Sequence, residues 1–435
     1  MKSEVFASNE PTVYPQNFRE VMNKQPFLLK QFSNGLTLIG EPMQAVRSAA
    51  YSFLLPVGAA TDPDGLEGSS SVLSELVFRG AGNLDAQALS DAFENLGCEH
   101  SHSAGTEVTV FSGALLGDNL SKALELQSLV LRKPTLAKDA LEPVRELALQ
   151  DLNSLEDEPS SKVMVELSKL FFPAPFNRSR YGTKKGLESL SDASLRSYFS
   201  KKYQPKGAVL SVAGAFNWNE VVETVERLFS DWTGVHDANE PGVFHTEHKY
   251  EHLMRDTNQM QIALAYPSGS YDDPSYYPLR VGLGVLSGGM FGRLFVEVRE
   301  KRGLVYNVSA SHHATKGRAA VFASASTTPA NAEETLSVML NELRSVEQGV
   351  SEEELARAKA NISTRLVMQG ESSSGRAATL VTDWWNLGRV RTLEEIATSI
   401  TAVTSKDIIE AFTKFKPSPL TVVTLGSKKL EKPFS

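Results

Sequence analysis

The sequence predicts an α+β protein built from two homologous repeats, each a mostly antiparallel sheet packed with helices. Three observations carry that expectation. First, the chain echoes itself: Ser191–Tyr203, Pro205 and Ala208–Gly214 return as Ser405–Phe415, Pro417 and Leu420–Gly426, each time a capped helix, a proline turn and a buried strand. Second, a helical run ending at Glu158-Pro159-Ser160-Ser161 is matched at nearly the same offset by one ending at Glu371-Ser372-Ser373-Ser374. Third, strand and helix patterns are mixed without the strict alternation of βαβ units. Pro205 and Pro417 stand 212 residues apart, which sets the repeat length. The repeats are expected over 28–232 and 253–435, after an N-terminal extension at 1–27. A linker is expected at 233–252, where Gly234, Asp237, Asn239, Pro241 and Gly242 break any helical or alternating period.

The elements of the first repeat follow in order. Asn34-Gly35 between Leu28–Phe32 and Leu36–Ile39 is a hairpin signal, and Ala50–Pro56 reads as a strand. Val72, Leu73, Leu76 and Val77 share a helical face, and Asp85 caps a second amphipathic run that Gly97 stops. Glu107–Phe111 alternates as a strand, and Asp118 opens a helix carrying Leu120, Leu124 and Val130. The second repeat restates the scheme with a strand at Met260–Tyr266, helices at Tyr277–Leu286 and Arg293–Arg302, and strands at Val305–Ser311 and Ala320–Ser326.

With 435 residues and 41% hydrophobic content, the chain can bury two such cores. Its 44 basic and 52 acidic residues give a net charge of −8 with no basic tail or patch, which argues against nucleic-acid binding. A single cysteine, Cys98, excludes an intrachain disulfide and cysteine-rich zinc modules. No apolar run approaches the roughly 20 residues of a membrane span, and the N-terminus lacks a secretory apolar stretch. A soluble cytoplasmic protein is expected, with a periplasmic or organellar location left open, since a trimmed secreted chain would read the same way.

The familiar phosphate-binding and dinucleotide glycine motifs and the nucleophile elbow are absent. Ser69-Ser70-Ser71 and Ser372-Ser373-Ser374 read as helix-start or loop residues. Cys98, His100 and His102 alternate onto one face of an extended segment, an arrangement a soft metal could use. The plainer reading is a strand whose polar face lines a cavity. His245, His248 and His252 follow no single helical face and read as exposed linker residues. His312-His313 ends a strand.

Asn34-Gly35-Leu36-Thr37-Leu38, Gly65-Leu66 before a helix ending Phe78-Arg79-Gly80, and Leu96-Gly97 before a strand together resemble the N-terminal half of the insulinase/pitrilysin-type zinc peptidases. Gly288-Gly289-Met290-Phe291-Gly292-Arg293-Leu294-Phe295, leading into Glu297–Tyr306, is similar to that family's second-half signature. The resemblance covers residues 28 to 427. It implies a half-shell of a clam-like peptidase and an H-x-x-E-H motif, in which two histidines on one helical face hold zinc and the glutamate activates water. Registering on Phe78-Arg79-Gly80 puts Ser71, Ser74 and Glu75 on the motif positions. Registering on Glu156–Pro159 puts Asp151 where the third ligand belongs. Every one departs from the pattern, and no histidine precedes Cys98, so no slip of register restores it.

Arg299 and Tyr306 match the arginine and tyrosine that the family uses to grip substrate and stabilise the oxyanion, with Gly288 and Gly289 in the substrate-binding surface. The resemblance therefore implies a subunit that binds no zinc and forms a heterodimer with a zinc-bearing homologous peptidase subunit acting on peptides. It is expected to be inactive alone. Two other roles stay open: a structural or peptide-binding assembly subunit, and an independent hydrolase with a metal site rebuilt from Cys98, His100 and His102 or from the linker histidines.

Overall fold

The structure, a computed structural model, describes residues 27–234 and 247–434. The first half runs β1 (Leu28–Gln31), β2 (Thr37–Pro42), β3 (Ser48–Leu55), α1 (Ser69–Leu76), a short ribbon of β4 (Gly80–Ala81) and β5 (Leu84–Asp85), α2 (Ala86–Asn95), β6 (Glu99–Ala104) and β7 (Thr109–Leu116). It continues through α3 (Leu120–Arg132), α4 (Lys138–Asp157), α5 (Pro159–Phe171), α6 (Lys184–Ser189), α7 (Asp192–Lys202), β8 (Val209–Gly214) and α8 (Trp218–Phe229). The second half runs β9 (Lys249–Met254), β10 (Met260–Pro267), α9 (Tyr276–Ser287), a π-helical segment (Phe295–Glu300), β11 (Val305–Thr315) and β12 (Arg318–Thr327). After these come α10 (Ala332–Ser345), α11 (Glu352–Gly370), α12 (Ser373–Leu387), α13 (Leu393–Ala402), α14 (Ser405–Lys414) and β13 (Thr421–Gly426).

Local signals account for several boundaries. Gly35 takes φ +91° in the β1–β2 turn, a conformation that favours glycine. The Asp85 carboxylate accepts the Ala88 amide at 2.8 Å and so caps α2. Pro159 occupies the first position of α5, where its missing N–H costs nothing, and the Ser372 hydroxyl accepts the Gly375 amide at the start of α12.

The two sheets share one plan. The first has the order β1-β2-β8-β3-β7-β6 and the second β11-β12-β10-β13-β9. Each contains one parallel pair, β2 with β8 and β9 with β13, and is otherwise antiparallel. The α+β expectation of two repeats is met.

Each sheet is covered on one face by the helices of its own half and on the other by a helix from the opposite half. Val163, Leu167 and Phe171 of α5 pack on Ala263, Ala265, Phe322 and Val423 of the second sheet. Ala377, Leu380 and Val381 of α12 pack on Ile39, Ala50, Leu54 and Val209 of the first. Central strands such as β10 are consequently buried along nearly their whole length and read as continuous apolar runs. Polar ties cross the same boundary. The Arg376 guanidinium grips Glu41 with contacts of 2.6 to 3.1 Å, and the Ser211 hydroxyl donates to the Ala377 carbonyl at 2.7 Å.

Three sequence expectations need correction. The linker expected at 233–252 ends early: residues 235–246 lie outside the described residues, but Lys249–Met254 is a strand paired with Thr421–Gly426. It is an edge strand held by backbone pairing, and its half-buried side chains leave no alternating signal. The helix expected at Arg293–Arg302 is α-helical nowhere in its centre; Phe295–Glu300 is wound more widely, with the Lys301 amide reaching back to the Val296 carbonyl at 2.9 Å. His312-His313 lies inside β11 and does not end it, because the strand continues to Thr315.

Candidate functional site

The helix α1 is fixed at its N-terminus by a buried carboxylate. Asp62 accepts the amides of Gly68 at 2.8 Å and Ser70 at 2.9 Å and the Tyr198 hydroxyl at 3.0 Å. Burial outweighs these bonds and raises its pKa to about 6. From this anchored helix, Ser71, Ser74 and Glu75 face a cavity of about 310 Å³ that is closed on the far side by α4, including Asp151. All four positions assigned to the metal motif thus come together in one place. His102 of β6 joins them, with Arg180 and Tyr181.

Two of the donors in this cavity, Ser74 and Glu75, are already committed. Ser74 donates to the carbonyl of Ser71, one turn back in its own helix, at 2.8 Å. Glu75 receives His102 Nε2 at 3.0 Å and pairs with Arg79. The hydrogen bond from His102, with help from the Arg79 charge, holds the Glu75 carboxyl below the usual range. Asp151 stands exposed on α4. Among the described residues no three His, Cys, Asp or Glu side chains stand close enough to share a metal ion. This donor set does not fit zinc, which prefers imidazole and thiolate in a shared tetrahedron.

A rebuilt site fares no better. The rings of His100 and His102 stack on Phe78 with centroids 5.1 and 5.0 Å away, which makes them walls of an aromatic cluster. Burial pushes the His100 imidazole down and the Cys98 thiol up, and Cys98 turns toward Tyr51. His252 Nδ1 meets the Thr424 hydroxyl at 2.8 Å and His248 Nδ1 accepts the Leu420 amide at 2.9 Å, so both brace the β9–β13 pairing. His245 lies outside the described residues.

Arg299 and Tyr306 form a second constellation, in the other half. Tyr306 is the extra residue of a β-bulge: Val305 pairs with Thr327 and Asn307 with Ser326, leaving Tyr306 without a ladder position. A bulge re-aims its side chain, and Tyr306 is 79% exposed. Its released carbonyl accepts Arg299 Nη1 at 2.8 Å. The guanidinium sits 5.0 Å from the Tyr306 ring centre and 4.9 Å from that of Phe295. The wide winding of Phe295–Glu300 positions Arg299 for this stacking. None of the residues lining the Glu75 cavity comes from this half, so the two constellations are separate within one chain.

Gly288 and Gly289 end α9. A Cβ on Gly288 would stand 2.1 Å from the Gly284 carbonyl oxygen, and Gly289 takes φ +102°. The close turn they allow leaves Met290 and Phe291 exposed beside them. His102 lines the cavity, as the plainer reading of its strand expected, while sequence reasoning missed Arg180 and Tyr181 there. For His102 the alternation with His100 was the available signal, but it does not show which helix a strand side chain meets.

Comparison with known proteins places this geometry. Residues 42–184 match the description "Insulinase (Peptidase family M16)", and residues 189–362 match "Peptidase M16 inactive domain". The chain belongs to the insulinase family of peptidases. A Rickettsia bellii relative named an uncharacterized zinc protease is 26% identical over 411 residues, covering 94% of this chain and 99% of its own. A Bacillus subtilis relative named uncharacterized zinc protease YmxG is 26% identical over 386 residues, covering 86% of this chain and 93% of its own. Among solved structures, a peptidase M16 inactive domain from Pseudomonas fluorescens superposes with a TM-score of 0.85 at 20% identity, covering 94% of this chain and all of that one. A Helicobacter pylori protease gives 0.83 at 19% identity, covering 92% and 99%. The insulinase fold therefore extends over both halves described above. Among the described residues no helix is long and apolar enough to cross a membrane.

Proposed function

We propose that this chain is the metal-free subunit of a heterodimeric insulinase-type peptidase and lends Arg299 and Tyr306 to a zinc-bearing homologous subunit. The observation that carries this reading is the contrast between the two constellations. Glu75 is engaged by His102 and Arg79 in a cavity without a metal donor set, whereas Tyr306 stands exposed on its bulge with Arg299 stacked upon it. A guanidinium and a phenol both donate hydrogen bonds, and both can face a peptide carbonyl whose oxygen gains charge during attack. Only one of the five Arg299 N–H groups is used by the Tyr306 carbonyl. Two such chains would close as half-shells around a peptide, with Arg299 and Tyr306 orienting the scissile carbonyl and the partner carrying out hydrolysis.

The test is to purify this chain alone and with a zinc-motif relative from the same source, then follow cleavage of a quenched fluorescent peptide. Neither chain alone should cleave appreciably, and the mixture should. Full activity of the relative by itself, unchanged on adding this chain, would favour a purely structural or peptide-binding role.

A further inference from the structure

The second half contains its own counterpart of the Glu75 cavity, and its chemistry is inverted. In the first half the cavity lies between α1, which follows a central strand, α4, which ends where the crossing helix begins, and the edge strand β6. In the second half α9, α11 and the edge strand β11 hold the same places. The spacings agree as well. Ser71, Ser74 and Glu75 line the first cavity, and Arg280, Leu283 and Gly284 line the second with the same i, i+3, i+4 pattern. Val144, Leu147, Ala148 and Asp151 are answered by Ile362, Arg365, Leu366 and Gln369, again with identical intervals. Arg280 thus stands where Ser71 does and Arg365 where Leu147 does, while glycine and glutamine replace the two acids.

The second cavity is larger, about 500 Å³. Among the described residues its one carboxylate, Asp383, is bound by Arg391 through contacts of 2.6 and 3.1 Å. Among the described residues Arg280 and Arg365 have no carboxylate partner; Arg280 lies over the Tyr276 ring at 5.6 Å, and Arg365 is exposed on α11. Below these cations the floor is apolar, formed by Leu283, Leu366, Ile396 and Ile400. A bare inorganic anion would leave that floor uncovered, and an aspartate or glutamate side chain is too short and polar to fill it. A terminal residue with an apolar side chain and a free carboxylate uses both parts.

We infer that this second cleft binds the C-terminal residue of a peptide, its carboxylate on Arg280 and Arg365 and its apolar side chain on the floor. The inference rests on the peptide-handling role above only in taking a peptide as the ligand. It is tested on the isolated chain by fluorescence anisotropy at low salt, with a labelled peptide ending in leucine and the same peptide amidated at its C-terminus. The free acid should bind about tenfold or more tightly than the amide. The double variant Arg280→Gln, Arg365→Gln should bind both peptides alike while its thermal unfolding stays unchanged. N-acetyl-leucine, which carries one apolar side chain and one carboxylate, should displace the acid peptide from the wild type. Equal affinity for acid and amide, no binding of either, failure of N-acetyl-leucine to compete, or an acid preference that survives the double substitution would each overturn the inference. A mixture with the zinc-bearing subunit that cleaves nothing would defeat the heterodimer reading and leave this binding result standing.

Discussion

Tyr306 acts through its backbone as much as through its ring. Removing one residue from the β11–β12 ladder frees a carbonyl for Arg299 and turns the phenol outward. If the pair stabilises the oxyanion in the partner's site, Arg299→Ala or Tyr306→Phe should lower turnover of the mixed enzyme by about 100-fold, the range for loss of one such donor. Co-elution of the two subunits should be unaffected, and unchanged turnover in the doubly substituted chain would rule out the trans-acting role. His312 offers a separate test at this scale. Burial, with smaller contributions from the charges of Arg280 and His313, lowers its pKa to about 4, against an opposing bond to the Gly269 backbone. The unfolded imidazole titrates near 6.5, so between about 6.5 and 4 the unfolded chain binds the extra proton and stability falls as pH falls. The contribution is complete above that window and is limited to about 3 kcal/mol. His312→Gln should show a flatter loss of stability than wild type between pH 6.5 and 4 in urea melts; parallel curves would mean the ring titrates normally. The Arg299–Tyr306 spacing was legible in the sequence through its glycine- and charge-rich surroundings. The bulge was not, because one extra residue in a strand has no compositional mark.

The breaks between α4 and α5 and between α11 and α12 were legible as elements, from Glu158-Pro159 and from the serines after Glu371. Their destination was not. An apolar stripe shows that a helix face is buried, and both α5 and α12 bury theirs on the sheet of the opposite half. The edge strand β9 was missed for the complementary reason, since backbone pairing with β13 fixes it without a buried side-chain pattern. The role of α12 can be measured directly. Leu380 is fully buried against the first sheet, so Leu380→Ala should destabilise the chain by about 2–5 kcal/mol through lost transfer energy and the cavity left behind. Because the helix belongs to one half and its contact surface to the other, denaturation should remain a single transition at lower urea. A loss confined to a separate early transition of the second half would show that α12 is not needed by the first sheet.

At the scale of the whole molecule, the exchanged helices make each half depend on the other. Without α5, the second sheet would present Ala263, Ala265, Phe322 and Val423 to water; without α12, the first would present Ile39, Leu54 and Val209. The Arg376–Glu41 pair sharpens this dependence, because the two side chains are only 2% and 3% exposed and lie on opposite halves. Parting them leaves each half with an uncompensated charge at a surface that had been interior, and breaking a buried pair costs about 3–5 kcal/mol. The sequence repeat suggests two units that could fold alone, whereas the crossed covering helices predict a single cooperative body. A chain cut between Asn239 and Glu240, within the expected linker, distinguishes these views. Produced separately, both fragments should aggregate or lack a cooperative thermal transition. Produced together, they should recover a soluble one-to-one complex that unfolds in one step, and Glu41→Gln should weaken that complex far more than a surface charge change such as Glu223→Gln. A monodisperse, cooperatively melting fragment obtained from either half alone would show that the crossed helices decorate two independent domains.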